Sequence, residues 1–316
     1  MRIILTDGTQ RSFFMEMNRE DLTVRDKLIY HAMTGVCTPN FMKHLYLSWT
    51  KDPFYSIEEI VNSYVPMSNE TKQQKLKMAL ETAYSKMSFE ELNELYRIKD
   101  IQILTILDNS YPEGWLNSYL PPVVVFCAGN IRLLEQPCLS VVGSRSPTPY
   151  GKAVLNEMIP PLVAEGITLV SGLAKGIDQM VHSSSIANGG ATIGIIGSGL
   201  DVTYPRENAA LQRQMMAEQL VMSEYPLGSK PERFHFPMRN RLIANLSLAT
   251  LVIEATESSG SLITANLALQ ENRDVYAVPG NITSRLSVGT NQLIKAGAAC
   301  VLSATDVLEE MKPQWN

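Results

Sequence analysis

The sequence predicts an α/β protein: a doubly wound, mostly parallel sheet preceded by a small all-helical module. Three observations predict it. From residue 139 onward, seven apolar runs start at intervals of about 25–30 residues, near the roughly 30 of a strand–helix–strand unit. Most of the segments between them have helical periodicity, as at 206–219 and 261–270. Before residue 100 the apolar residues instead fall three and four apart. Strands alternating with helices make a parallel sheet covered on both faces.

Residues 1–100 are read as the helical module, with helices over 24–33, 40–49, 57–65, 70–86 and 89–98. Ser56-x-x-Glu59 and Ser88-x-x-Glu91 have the form of capping boxes. Pro39, Pro53 and Pro66 separate short helices. Residues 101–316 are read as the sheet domain. Strands are expected at 101–107 and 123–126, joined by a connection marked by Pro112, Pro121 and Pro122. The seven runs follow at 139–142, 167–170, 192–196, 220–223, 250–253, 274–278 and 299–302, with a final helix over 305–311. Pro160-Pro161 should end or kink the first crossover helix.

The chain has 316 residues, 45% of them hydrophobic and 19% charged, which suits two globular domains rather than a disordered chain. No window approaches the roughly 18 apolar residues of a membrane span. The first eleven residues lack a long apolar segment and a small-residue cleavage site, so no signal peptide is expected. Cys37, Cys127, Cys138 and Cys300 are scattered, without metal-ligand spacing. Cys127 and Cys138 sit in apolar runs as buried thiols. This usage points to a reducing cytoplasm. The four histidines are also dispersed, and neither a metal nor a cofactor is expected.

The formal net charge is -5, yet Arg233-Phe-His-Phe-Pro-Met-Arg-Asn-Arg241 is basic and aromatic. Arginines interleaved with phenylalanines suit single-stranded nucleic acid, with guanidinium groups on phosphates and rings on base faces. A solvated loop with a buried Phe pair is the alternative. Asn240 belongs to the same stretch. Three glycine turns each follow a strand: Gly143-Ser144-Arg145, Ser171-Gly172-Leu173-Ala174-Lys175-Gly176 and Gly197-Ser198-Gly199. Glycines allow close backbone approach, and helix N-termini behind the turns offer N–H groups to phosphate. Arg145 and Lys175 add full charges. Ser259-Gly260-Ser261 opens another helix and suits an anion, or simply caps that helix. None of these turns fits G-x-G-x-x-G, and no Walker A sequence occurs. Asp178, Asp201 and Glu254 lie near strand ends, where capping or pairing with arginine competes with catalysis. His182 is read as a packed or hydrogen-bonded residue.

The segment 107–303 resembles the DNA-processing protein A (DprA/Smf) family. The residues that carry the resemblance begin with Leu107-Asp108, Tyr111-Pro112, Pro121-Pro122 and Gly129-Asn130. Val142-Gly-Ser-Arg145, Ser171-Gly-Leu-Ala-Lys-Gly-Ile-Asp178 with His182, Gly197-Ser-Gly-Leu-Asp201, Tyr204-Pro205 and Ser223-Glu-Tyr-Pro226 follow. Then come Phe236-Pro-Met-Arg-Asn-Arg241, Ser259-Gly-Ser-Leu-Ile-Thr264 and Arg273-Asp-Val-Tyr-Ala-Val-Pro-Gly280, and last Gly289, Asn291 and Gly297-Ala298. The resemblance implies an extended Rossmann-like domain that binds single-stranded DNA, protects incoming strands during natural transformation and helps load the RecA recombinase. It implies no enzymatic activity. It places DNA contacts on Gly143, Arg145, Lys175, Arg233, Phe236, Arg239 and Arg241. Ala128 departs from the family's usual basic residue, and Gln179-Met180-Val181 from its small ones. The first hundred residues resemble the family's sterile-alpha-motif or helix-hairpin-helix-like module loosely, and no C-terminal winged helix is expected.

A nucleotide-binding or nucleotide-hydrolysing enzyme of the phosphoribohydrolase type is the competing reading. Such enzymes carry a glutamate in the helix after the glycine-rich strand end, and 261–266 has none. The resemblance also implies a homodimer through the last strand–helix segment, for which Leu293, Ile294 and Val301 are the expected interface residues. A terminal strand needs cover.

Overall fold

Polar residues at helix starts set out the first hundred residues. In the computed structural model, which describes residues 22–315, capping boxes at Thr23/Asp26, Ser56/Glu59 and Ser88/Glu91 open α1 (Val24–Met33), α3 (Ile57–Tyr64) and α5 (Phe89–Ile98). The first was missed in the sequence because Asp, not Glu, stands three residues on. α2 (Pro39–Lys51) begins on its proline, where a missing N–H costs nothing. α4 (Glu70–Tyr84) follows a short turn. The expectation concerning the first eleven residues lies outside the described part.

The chain divides into two compact units: residues up to Asp108 with Pro122–Val125, and Asn109–Pro121 with Phe126 onward. The first holds α1–α5 and β1 (Gln102–Thr105). Leu28, Phe41, Leu45, Trp49, Leu80 and Tyr96 are buried in it. His31 is 2% exposed. Its Nδ1 lies 2.7 Å from the Lys27 carbonyl and its Nε2 2.6 Å from the Tyr84 hydroxyl. A carbonyl only accepts, so Nδ1 carries the proton and Nε2 accepts from Tyr84. Burial pulls this imidazole down to about 4.

The second unit is the α/β part. Its strands are β2 (Val124–Gly129, whose first residues belong to the other unit), β3 (Cys138–Val142), β4 (Thr168–Ser171), β5 (Thr192–Ile196), β6 (Leu220–Ser223), β7 (Ala249–Val252), β8 (Asp274–Ala277) and β9 (Ala299–Cys300). They run in the order β2-β6-β5-β4-β3-β7-β8-β9. β2 is antiparallel to β6, and the other pairs are parallel. Buried runs such as Leu139, Val141, Leu169 and Leu251 need cover on both faces. Helices supply it: α6 (Glu113–Leu116), α7 (Pro149–Ala164), α8 (Ile177–Ala187), α9 (Ala209–Glu218), α10 (His235–Leu246), α11 (Gly260–Gln270), α12 (Val288–Lys295) and α13 (Ala304–Trp315). Among the described residues, no helix is long and apolar enough to cross a membrane.

Several expectations are corrected. α7 runs on through Pro160 and Pro161. Both prolines stand on its less buried side near its end, while Met158, Ile159 and Leu162 pack into the core and hold the turn. The helical segment expected over 206–219 is present, opening on a 3-10 turn, Arg206–Asn208, before α9. The basic, aromatic stretch is largely the start of α10, not a loop. Leu293 is 8% and Val301 1% exposed, and Val301 belongs to the core beneath α7 and α13. Neither side chain faces outward as an interface residue must; Ile294 is partly exposed. Alternating apolar residues on a short last strand point to a buried face, and here that face is taken up by α13.

Candidate nucleic-acid interface

The strand order reverses between β3 and β7: β4–β6 extend to one side of them and β8–β9 to the other. Ligands of open α/β sheets bind beyond the strand C-termini at such a point. A cleft of about 640 Å³ opens there. Val142–Ser146 after β3 and Thr256–Ser261 after β7 form two of its walls, and Arg233–Asn240 around the start of α10 contributes a third. It gathers Gly143, Ser144, Arg145, Arg233, Phe236, Arg239, Asn240, Ser259, Gly260 and Ser261 from the sequence expectations. A smaller hollow of about 60 Å³ adjoins it, shared by Arg145, Phe236 and Arg239 and adding Gly172 and Lys175. Gly199 and Arg241 line neither.

The cations divide by burial. Arg145, Lys175 and Arg233 are exposed. The Arg145 guanidinium lies 5.9 Å from the Phe236 ring centre, within cation–π range. Lys175 is ion-paired with Glu207 at 2.5 Å, and both side chains are more than half exposed. Arg239 is only 5% exposed. It donates through Nη1 to the carbonyls of Gly172, at 2.5 Å, and Ile195. Burial pulls its guanidinium down to about 10, against the pull of Asp178, so it stays charged at neutral pH. Arg241 departs furthest from the expectation of a strand contact. Its guanidinium is buried, donates to the Leu120 carbonyl and forms a two-pronged ion pair with Glu224 at 2.5 and 2.6 Å. Burial pushes the Glu224 carboxyl up, against that pairing.

The glycines are explained by the protein's own packing more than by a ligand. A Cβ on Gly172 would stand 2.6 Å from both Nη atoms of Arg239. One on Gly143 would meet Ile177, and one on Gly199 would meet the Pro226 carbonyl, at 2.7 and 2.5 Å. Gly260 differs: it is exposed, and nothing lies within 4 Å of an added Cβ. Beside it, Ser259 caps α11 by accepting from the Ser261 N–H, and Asn240 donates to the Gly260 carbonyl at 3.4 Å.

The carboxylates near the strand ends are occupied. Asp178 accepts from the Gly172 and Ala174 N–H groups, and burial pushes its carboxyl up. Glu254 accepts from both the N–H and the hydroxyl of Thr148, the residue that caps α7. Asp201 accepts from Gly228 N–H. His182 is fully buried against the Thr192 hydroxyl, as expected.

Three side chains escaped the sequence reading as site residues. Tyr204 is 49% exposed and tilted against Phe236, ring centres 5.5 Å apart. Glu207 meets Lys175. Phe234 is 66% exposed, edge-on to a His235 that stacks on Tyr225. The aromatic pair Phe234/Phe236 was visible in the sequence, but which ring the helix would turn outward was not.

Residues 102–312 match the family described as DNA recombination-mediator protein A. The chain belongs to this family. It is 41% identical over 270 residues to the DNA processing protein DprA of Bacillus subtilis (strain 168), covering 85% of this chain and 89% of that one. The X-ray structure of DNA processing protein A (DprA) from Streptococcus pneumoniae aligns with a TM-score of 0.80 at 37% identity, over 92% of this chain and 98% of that one. DNA processing protein A from Helicobacter pylori, whose structure addresses its single-stranded DNA binding mode, aligns at 0.61 and 28% identity over 68% of this chain and 98% of that one. The family match spans the whole cleft and the extended Rossmann-like sheet beneath it.

Proposed function

We propose that the chain binds single-stranded DNA across the cleft at the β3/β7 switch point. On this reading it protects strands taken up in natural transformation and helps load the RecA recombinase. It acts in the cytoplasm, as a homodimer, without catalysing a reaction. One observation carries the DNA reading: three exposed cations, Arg145, Lys175 and Arg233, surround a half-buried aromatic ring, Phe236, at a topological switch point. Cations take phosphates while the ring takes an unpaired base. The non-catalytic reading is supported by the carboxylates, which are engaged with backbone N–H groups and a helix cap. The first turn of α11 carries no acid, unlike the phosphoribohydrolase pattern. The DNA-binding relative from Helicobacter pylori supports the ligand class.

The test is titration of labelled oligonucleotide, single-stranded and duplex at equal length, at two salt concentrations. Tighter single-strand binding is expected, with a log–log salt slope of about -1.4 from Arg145 and Arg233 at about 0.7 each, Lys175 being ion-paired with Glu207. Equal affinity for duplex and single strand overturns the reading. For the dimer, light scattering across concentrations should give twice the chain mass; a monomer at tens of micromolar removes it.

A further inference from the structure

We infer that Glu207 sets the affinity of the cleft, as an internal counter-ion that occupies Lys175 until a DNA phosphate replaces it. This rests on the reading of Lys175 as a strand contact.

The geometry brings the two together from separate elements. Lys175 lies in the turn between β4 and α8, and Glu207 in the 3-10 turn before α9. The link is the next residue. Asn208 is 2% exposed and donates through Nδ2 to the carbonyls of Leu173 and Ala174, at 2.8 and 3.2 Å. That clamp fixes the 3-10 turn against the lysine's own loop, so Glu207 is held within reach of Lys175 rather than meeting it by chance. The ion pair closes at 2.5 Å. The lysine draws the Glu207 carboxyl below its usual range, so it stays ionised at neutral pH.

Both side chains are solvent-exposed, at 53% and 63%. Such a pair is weak, and a phosphate can displace the carboxylate. The displacement has an ionic signature. When a phosphate takes Lys175 from Glu207, the cation released from the strand is offset by the cation that the freed carboxylate attracts. The contact therefore adds little to the salt dependence. Without the carboxylate, Lys175 neutralises a phosphate outright and should add about 0.7 to the slope.

The experiment is a salt series of binding isotherms with a fluorescently labelled thymidine oligonucleotide on four full-length proteins: wild type, Glu207→Gln, Lys175→Gln and the double variant. Glutamine keeps the side chain's length and leaves Asn208 in place, and equal melting temperatures check the fold. Glu207→Gln should tighten binding by up to about fivefold at low salt, the reach of an exposed ion pair. It should steepen the slope by about 0.7. In the Lys175→Gln background the same change should do much less. If Lys175→Gln weakens binding while Glu207→Gln alters neither affinity nor slope, the counter-ion role fails and the DNA reading stands. An equal gain from Glu207→Gln with and without Lys175 also overturns it, since general charge then explains the effect. If Lys175→Gln binds as wild type, both this role and the lysine's assignment fall.

Discussion

Arg239 Nη1 donates to the Gly172 carbonyl at 2.5 Å, tying the basic helix α10 to the loop that carries Lys175. The same atom reaches the end of β5 through Ile195. An arginine in a basic run is therefore a strut beneath the cleft. Arg239→Ala would strand two carbonyls, each costing about 1–3 kcal/mol if left buried without a partner. The expected result is a melting temperature several degrees below wild type, measured by thermal denaturation. An unchanged melt with weakened DNA binding would restore Arg239 as a contact.

The exposed cations should behave in the opposite way. Arg145→Ala and Arg233→Ala remove groups that touch solvent and the cleft, so melting temperatures should hold. Oligonucleotide affinity should drop, and each change should shallow the salt slope by about 0.7. A melt well below wild type in either variant would mark that residue as structural.

Phe236→Ala should cost binding about 1–3 kcal/mol if a base stacks on the ring. Phe236→Leu separates the alternatives. It keeps apolar bulk against Tyr204 but offers no π-face, so it should bind as poorly as alanine while melting near wild type. If leucine restores full affinity, the ring only fills space.

How much of this could be read from the sequence differs from place to place. The alternation of strands and helices was legible because a buried parallel strand must be nearly all apolar, as in β3 and β5. So was the cleft, because Gly143 and Gly172 follow strands directly. The roles of Arg239 and Arg241 were not legible. Their partners, Gly172 and Glu224, lie 67 and 17 positions away, and one-dimensional spacing cannot show that a helix turns two of its arginines inward. The glycines misled for the same reason: their missing Cβ atoms make room for Arg239 and Ile177 rather than a ligand. Pro160-Pro161 obeys a local rule that core packing outweighed.

Val301 gives a sharp test of one such reading. Its side chain is 1% exposed within the core under α7 and α13. Val301→Asp would bury an unpaired carboxylate. The expected outcome is loss of folded protein, seen as a collapsed melt. Clean conversion of a dimer to a stable, DNA-binding monomer would show that position 301 lies at an interface after all.

Two buried imidazoles predict acid sensitivity. Burial pulls His31 down to about 4 and His182 to about 3, both below the ordinary 6.5. The unfolded chain thus binds these protons first as pH falls below 6.5. Their stabilisation is complete above that pH and is lost progressively towards pH 4 and 3. Asp178 and Glu224, raised by burial, act in the opposite sense, so differences are the cleaner readout. The melting-temperature gap between wild type and His31→Gln should narrow from pH 7 to pH 4. A gap that widens contradicts a neutral, buried His31.

The open space around Gly260 gives the molecule a handle. Gly143 and Gly172 are locked by contacts that leave no room for a single added carbon. Position 260 is different: it lies at the rim, at the first turn of a long helix, and its neighbours would not have to move. A cysteine there could carry a dye or a crosslinker against whatever occupies the cleft. The rim of this fold can thus be re-equipped, by an engineer or by drift, while the struts below it stay fixed.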